Sequence, residues 1–150
     1  MPQNTEHSPE KVEHIEKLLR RVSSVVKRKG REILANFPIT PPQFIALLWL
    51  NEDGDMTIGE LSGKMYLAFS TSTDLIDRME KSGLVERVRD TNDRRVVRIH
   101  MLPFGKEVIQ GVLKARREYL AGVMTSFSHE QAEDIGRALE LLYSEINNSG

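Results

Sequence analysis

The 150-residue chain contains no cysteine, which removes disulfide bonds, thiolate nucleophiles, thiolate-ligated zinc and thiol-based redox sensing together. Such a chain suits a reducing compartment, and the cytoplasm is the expected location. Glycine (10) and proline (6) are sparse beside 39% hydrophobic and 29% charged residues, so collagen-like, low-complexity and disordered chains are excluded. No apolar run approaches the roughly 20 residues of a membrane span. The first residues, Met1 to Lys11, are polar and acid-containing with no apolar signal core, so neither a targeting segment nor a membrane partner is expected. His7, His14, His100 and His129 lack the H-x-x-x-H and H-E-x-x-H spacings that place two imidazoles on one helix face. Phosphate loops, dinucleotide fingerprints and nucleophile elbows are also missing. The expectation is therefore no catalytic residue, no metal and no cofactor. What is present suffices for a core, because a domain of this length buries about 68 to 70% of its unfolded surface.

A large positive charge is missing as well: the formal net charge is -1, which excludes a protein that compacts DNA by charge alone. The distribution is more informative than the sum. Five arginines, Arg87, Arg89, Arg94, Arg95 and Arg98, stand against Asp90 and Asp93 alone between residues 87 and 98, with no lysine. Arginine clusters favour planar, bidentate recognition of phosphates and bases.

Residues 1 to 36 begin with Ser8-Pro9, a helix cap followed by proline at the first helical position. Val12, Ile15, Leu19, Val22 and Val26 then step by 3, 4, 3 and 4, the rhythm of a helix that packs along a seam. Thr40-Pro41-Pro42-Gln43 is a capping box for a second helix to about Asn51, followed by a turn at Asn51 to Gly54. Thr57-Ile58-Gly59-Glu60 opens a short third helix, and Ser70 is the expected cap of a fourth that buries Leu75, Ile76 and Met79 and stops at Gly83. Two short helices so close together predict a helix-turn-helix. From Leu84 the period falls to 2, predicting a hairpin of Leu84 to Arg89 with Arg94 to Met101 across the polar turn Asp90-Thr91-Asn92-Asp93. A fifth helix is predicted from Phe104 to about Phe127, and Ser128-His129-Glu130-Gln131 caps a last one. There Ala132, Ile135, Leu139, Leu142 and Ile146 repeat the 3, 4, 3, 4 rhythm of the first helix.

The expected fold is mainly α with a small β-hairpin wing. A winged helix-turn-helix at residues 37–103 is flanked by N- and C-terminal dimerisation helices at 1–36 and 104–150, and a homodimer is the expected assembly.

Residues 75–105, LIDRMEKSGLVERVRDTNDRRVVRIHMLPFG, resemble the MarR family of bacterial winged-helix regulators, and the order of elements matches along the whole chain. The family pattern of D-R-L-x-x-x-G-L-V, a wing D-x-x-D-x-R and L-T-x-x-G falls on Asp77, Arg78, Gly83, Leu84, Val85, Asp90, Asp93, Arg94, Arg95 and Gly105. Two departures matter. Leu102 stands where a capping threonine is usual, partly offset by Pro103, and Asp74 places an acid where a neutral or basic residue is common.

In a helix that enters the major groove, the N-terminal residues reach base edges, so Ser70, Thr71, Ser72, Thr73 and Asp74 are the candidate readers. Asp74 can accept from a cytosine amine. The resemblance implies wing insertion by Arg94 or Arg95, since a narrow minor groove concentrates negative potential that arginine exploits. One of the two is expected to bond Asp93 or Asp77 and brace the wing rather than touch DNA, and Arg78, itself a DNA-binding candidate, is expected to be a further strut. Phe37, Phe44, Trp49 and Tyr66 are candidate linings of a pocket between the seam helices and the winged unit, for a small apolar or aromatic effector. The resulting expectation is a sequence-specific, ligand-responsive repressor on a pseudo-palindromic, double-stranded operator. The alternative is a winged-helix module whose arginine-rich hairpin docks acidic protein partners.

Overall fold

Local capping chemistry sets most element boundaries. The computed structural model describes residues 5–149. The Ser8 hydroxyl accepts from the Lys11 amide at 3.3 Å and α1 runs from Pro9 to Leu34. Only Ile33 and Leu34 of that helix are buried, whereas Val12, Ile15, Leu19, Val22 and Val26 are exposed. At Thr40 the capping box is complete: the hydroxyl accepts from the Gln43 amide at 3.4 Å, and the Gln43 side chain accepts from the Thr40 amide at 3.0 Å. The α2 helix that follows, Pro41–Asp53, is longer than its sequence suggested. It continues through the expected turn and stops at Gly54.

Strand β1 is only Met56–Thr57, too short for alternation to reveal it, and Met56 pairs opposite Ile99. Helix α3, Ile58–Met65, is capped by Thr57, and Tyr66 at φ 54 turns the chain in the left-handed region. After two more residues comes α4, Phe69–Lys81. Gly83, at φ 76, then reverses the chain into β2, Val85–Arg89, where a side chain would be strained. The antiparallel partner β3, Val97–Met101, lies between β1 and β2 and runs from Arg89 opposite Val97 to Val85 opposite Met101.

Residues up to Val112 form one compact unit. Its core comprises Leu47, Leu61, Ile76, Met79, Leu84, Ile99 and Ile109, all fully buried. Each such side chain contributes roughly 1.5 to 3 kcal/mol by leaving water. Helix α5, Pro103–Met124, starts at the proline expected to pre-set its first turn. Gly105 is required there, because a Cβ would collide with the Leu84 carbonyl, which also accepts from the Leu102 amide at 3.0 Å.

The second unit begins at Leu113 and takes in the rest of α5 and α6, His129–Ser149. Ser128 and Gln131 exchange both bonds of the predicted capping box, at 3.0 and 3.1 Å. No residue of α6 is buried within the chain, although Ile135, Leu139, Leu141, Tyr143 and Ile146 are large and apolar. Among the described residues, no helix is long and apolar enough to cross a membrane.

Candidate nucleic-acid interface

Helix α4 sorts the five candidate readers onto two faces. Ser70, Thr71 and Asp74 are exposed, and their side chains have no partner among the described residues. The helix cap is Ala68, which has no side-chain acceptor, so the expected capping role of Ser70 is corrected. Its hydroxyl stands on the first turn, free of that duty. Ser72 is also corrected, because it is fully buried on the face that carries Leu75, Ile76 and Met79 and cannot meet a base. Its Oγ has no hydrogen-bond partner. Thr73 is half-buried and donates to the Phe69 carbonyl at 3.0 Å, which leaves its oxygen only as an acceptor.

The hairpin tip is built around two carboxylates. Asp90 accepts from the amides of Asp93 and Asn92 at 3.0 and 3.1 Å and from Arg98 Nε at 3.5 Å. The Asp93 amide bond, with those from Asn92 and Arg98, holds the Asp90 carboxyl below its ordinary pKa against the opposing effect of desolvation. Asp93 accepts from Arg95 Nε, an Arg95 terminal nitrogen and the Arg95 amide at 3.2, 3.3 and 3.0 Å. These bonds, the side-chain ones first, lower the pKa of Asp93. Arg95 is therefore the braced member of the pair, with its side chain still 90% exposed. Arg94 is exposed, and its guanidinium has no partner among the described residues. Its carbonyl accepts from Arg89 at 2.9 Å, which ties the tip back to β2.

The strut expected of Arg78 belongs instead to Arg87. Arg78 is exposed and makes no ion pair among the described residues. Arg87, on β2, donates to Asp77 at 2.7 Å and to Glu80 at 2.6 Å, while its amide donates to the second Glu80 oxygen at 3.2 Å. Burial works against the Arg87 charge, but the bonds to Asp77 and Glu80 outweigh it and raise the guanidinium pKa. One side chain thus locks α4 to the wing. Strand alternation carries part of the signal, since Val85 is buried and Arg87, two residues on, faces the same side, but that α4 lies on that side is seen only in the fold. On the opposite flank Arg98 lies 3.6 Å from Glu60 of α3, and His100 Nδ1 lies 2.9 Å from Asp55.

The four aromatic candidates are not all brought together. Tyr66 is 95% exposed, because the left-handed turn points it away from the core, and it is removed from the pocket lining. Phe37, Phe44 and Trp49 are half-buried. Phe37 packs so tightly on α5 that a Cβ at Gly111 would come within 2.8 Å of its ring. The Lys64 ammonium lies 5.0 Å from the centre of the Trp49 ring, a cation–π contact. Among the described residues, no group of three or more His, Asp or Glu side chains could hold a metal ion.

Comparison with known proteins gives the same architecture a name. Residues 39–97 match the model of the MarR family. An uncharacterized HTH-type transcriptional regulator, YsmB, of Bacillus subtilis (strain 168) is 58% identical over 137 residues, which are 91% of this chain and 94% of that protein. A solved MarR family protein from Bacillus stearothermophilus is 51% identical with a TM-score of 0.90, over 95% of this chain and 99% of its own. Transcriptional regulator Tm0710 from Thermotoga maritima is 33% identical with a TM-score of 0.74, over 92% and 99%. Relatives of this kind favour a regulator over a protein-docking hairpin. The chain belongs to the MarR family of winged helix-turn-helix transcriptional regulators.

Proposed function

We propose that the chain is a homodimeric repressor of the cytoplasm that binds a pseudo-palindromic DNA operator, with α4 in the major groove and the β2–β3 wing over the adjacent minor groove. The observation that carries this reading is the pairing of two exposed, chemically suited surfaces held by one guanidinium. Uncapped hydroxyls at Ser70 and Thr71 begin α4, two arginines crown the wing, and Arg87 fixes one to the other. Bracing was expected to keep an arginine off DNA, but Arg95, held by Asp93 and still 90% exposed, is assigned to the minor groove, because little side-chain entropy is lost when an already ordered group docks. Arg94 and Arg78, exposed and without ion pairs, are assigned to phosphates.

Dimerisation is assigned to the terminal helices, whose seam residues Ile15, Leu19, Val22, Ile135, Leu139 and Ile146 are left exposed within one chain. A dimer matches a palindrome because two recognition helices meet successive major grooves about 34 to 36 Å apart. Phe37, Phe44 and Trp49 are retained as the lining of a site for a small apolar or aromatic effector. Such a ligand would release DNA by favouring a different spacing of the two reading helices.

The test is selection of bound duplexes from a random library by the purified protein at about 150 mM salt, where non-specific contacts are weakened. An inverted repeat with half-sites about one helical turn apart is expected. Recovery of unenriched sequence would overturn the assignment.

A further inference from the structure

The first residue of α4 is Phe69, and it is 61% exposed. A single exposed apolar side chain is ordinary on a protein surface. This one, however, occupies the first turn of the helix whose N-terminal residues meet base edges. The surrounding turn carries the free hydroxyls of Ser70 and Thr71 and no acidic group.

Only one base edge in the major groove offers an apolar surface, the 5-methyl group of thymine. Apart from the smaller C5–H edge of cytosine, the other groups displayed there are hydrogen-bond donors or acceptors, which a phenyl ring would desolvate without compensation. We propose that Phe69 is a specificity-determining residue that reads a thymine methyl at a fixed position of each half-site. The inference rests on the assignment of α4 to the major groove and adds an apolar contact to a base, which the Phe69→Ala variant separates from any contact by the methyl groups of Thr71 and Thr73. One turn further along the helix, exposed Asp74 suits a cytosine amine.

The test uses the full-length protein and the inverted repeat that it selects from a random library. Each thymine of a half-site is replaced in turn by deoxyuridine, which lacks only the methyl group. One position is expected to lose about three- to fivefold in affinity, the equivalent of one buried methyl. Phe69→Ala should bind thymine and deoxyuridine duplexes alike at that position, and Phe69→Leu should restore most of the difference. A second selection with Phe69→Ala should relax the base choice there and leave the other positions unchanged. If no thymine is sensitive, or if the sensitivity survives in Phe69→Ala, the inference is overturned while DNA binding stands. If the wild-type protein selects no sequence at all, the assignment of α4 fails first and takes this inference with it.

Discussion

The guanidinium of Arg87 on β2 lies 2.7 Å from the carboxylate of Asp77 on α4 and, through its other terminal nitrogen, 2.6 Å from Glu80. A helix that reads bases and a hairpin that reads the neighbouring groove are thereby joined by a fork that only arginine provides. Replacing it leaves two adjacent carboxylates unpaired. Arg87→Ala should cost about 1 kcal/mol of stability in urea denaturation, a modest figure because both acids are partly exposed. It should cost DNA affinity as well, about threefold to tenfold, because the wing must then be ordered on binding. Arg87→Lys should retain the charge but not the fork and fall between the two. Unaltered affinity in Arg87→Ala would mean that helix and wing bind independently.

Ser72 and Thr71 are neighbours with opposite expected behaviour. Ser72 is fully buried with an unpartnered hydroxyl, and such a group costs about 1 to 3 kcal/mol relative to a satisfied one. Ser72→Ala should therefore raise stability by roughly 1 kcal/mol and leave the selected operator unchanged. Thr71→Ala, on the exposed face, should leave stability nearly constant and alter base preference. Thermal denaturation together with duplex selection checks both, and a changed operator for Ser72→Ala would contradict its place in the core.

The wing should be insensitive to pH until its carboxylates protonate. Asp90 and Asp93 both have pKa values below the ordinary 3.8 in the folded chain. A depressed folded value means that their contribution is fully present above the unfolded pKa and is lost as pH falls through the lower folded value. Resonances of the wing tip, residues 90 to 95, followed by NMR should thus hold constant from pH 7 to about 5 and change only below about 4. Asp93→Asn should remove the bond from the Arg95 terminal nitrogen at neutral pH, because an amide NH2 replaces its acceptor oxygen. A wing transition near pH 6 would point to another group.

Much of the molecule was legible because capping boxes and hydrophobic period act locally. Thr40 with Gln43 and Ser128 with Gln131 mark their helices in sequence and make the same bonds in the fold. Gly105 belongs to the family pattern, and its reason emerges only in three dimensions, where the Leu84 carbonyl fills the space of a Cβ. The cap of α4 was misplaced because Ser70 is the better capping residue by type, whereas tertiary packing starts the helix at Phe69 after Ala68. The burial of Ser72 could have been found: it precedes Leu75, Ile76 and Met79 by 3, 4 and 7 residues, the positions of one helix face. The Arg87 clasp required knowledge that β2 lies beside α4, and β1 was too short to show a period.

Dimerisation is best tested where the protomer has no use for the residue. Leu139 is 57% exposed and Ile15 is 51% exposed, so neither supplies much to the fold of one chain. If each is covered by a second copy, it contributes up to roughly 1.5 to 3 kcal/mol at every symmetric contact. A lysine at the same place must be desolvated without a counter-charge, at an effective cost of several kcal/mol per ion. Leu139→Lys and Ile15→Lys should each shift the protein from dimer to monomer in analytical ultracentrifugation, with the helical circular dichroism of α2 to α4 retained. Operator affinity should fall with them, because a single reading helix engages only one half-site. A sedimentation profile matching the wild type for both variants would place the interface elsewhere. Loss of the dimer with undiminished operator binding would instead separate dimerisation from recognition.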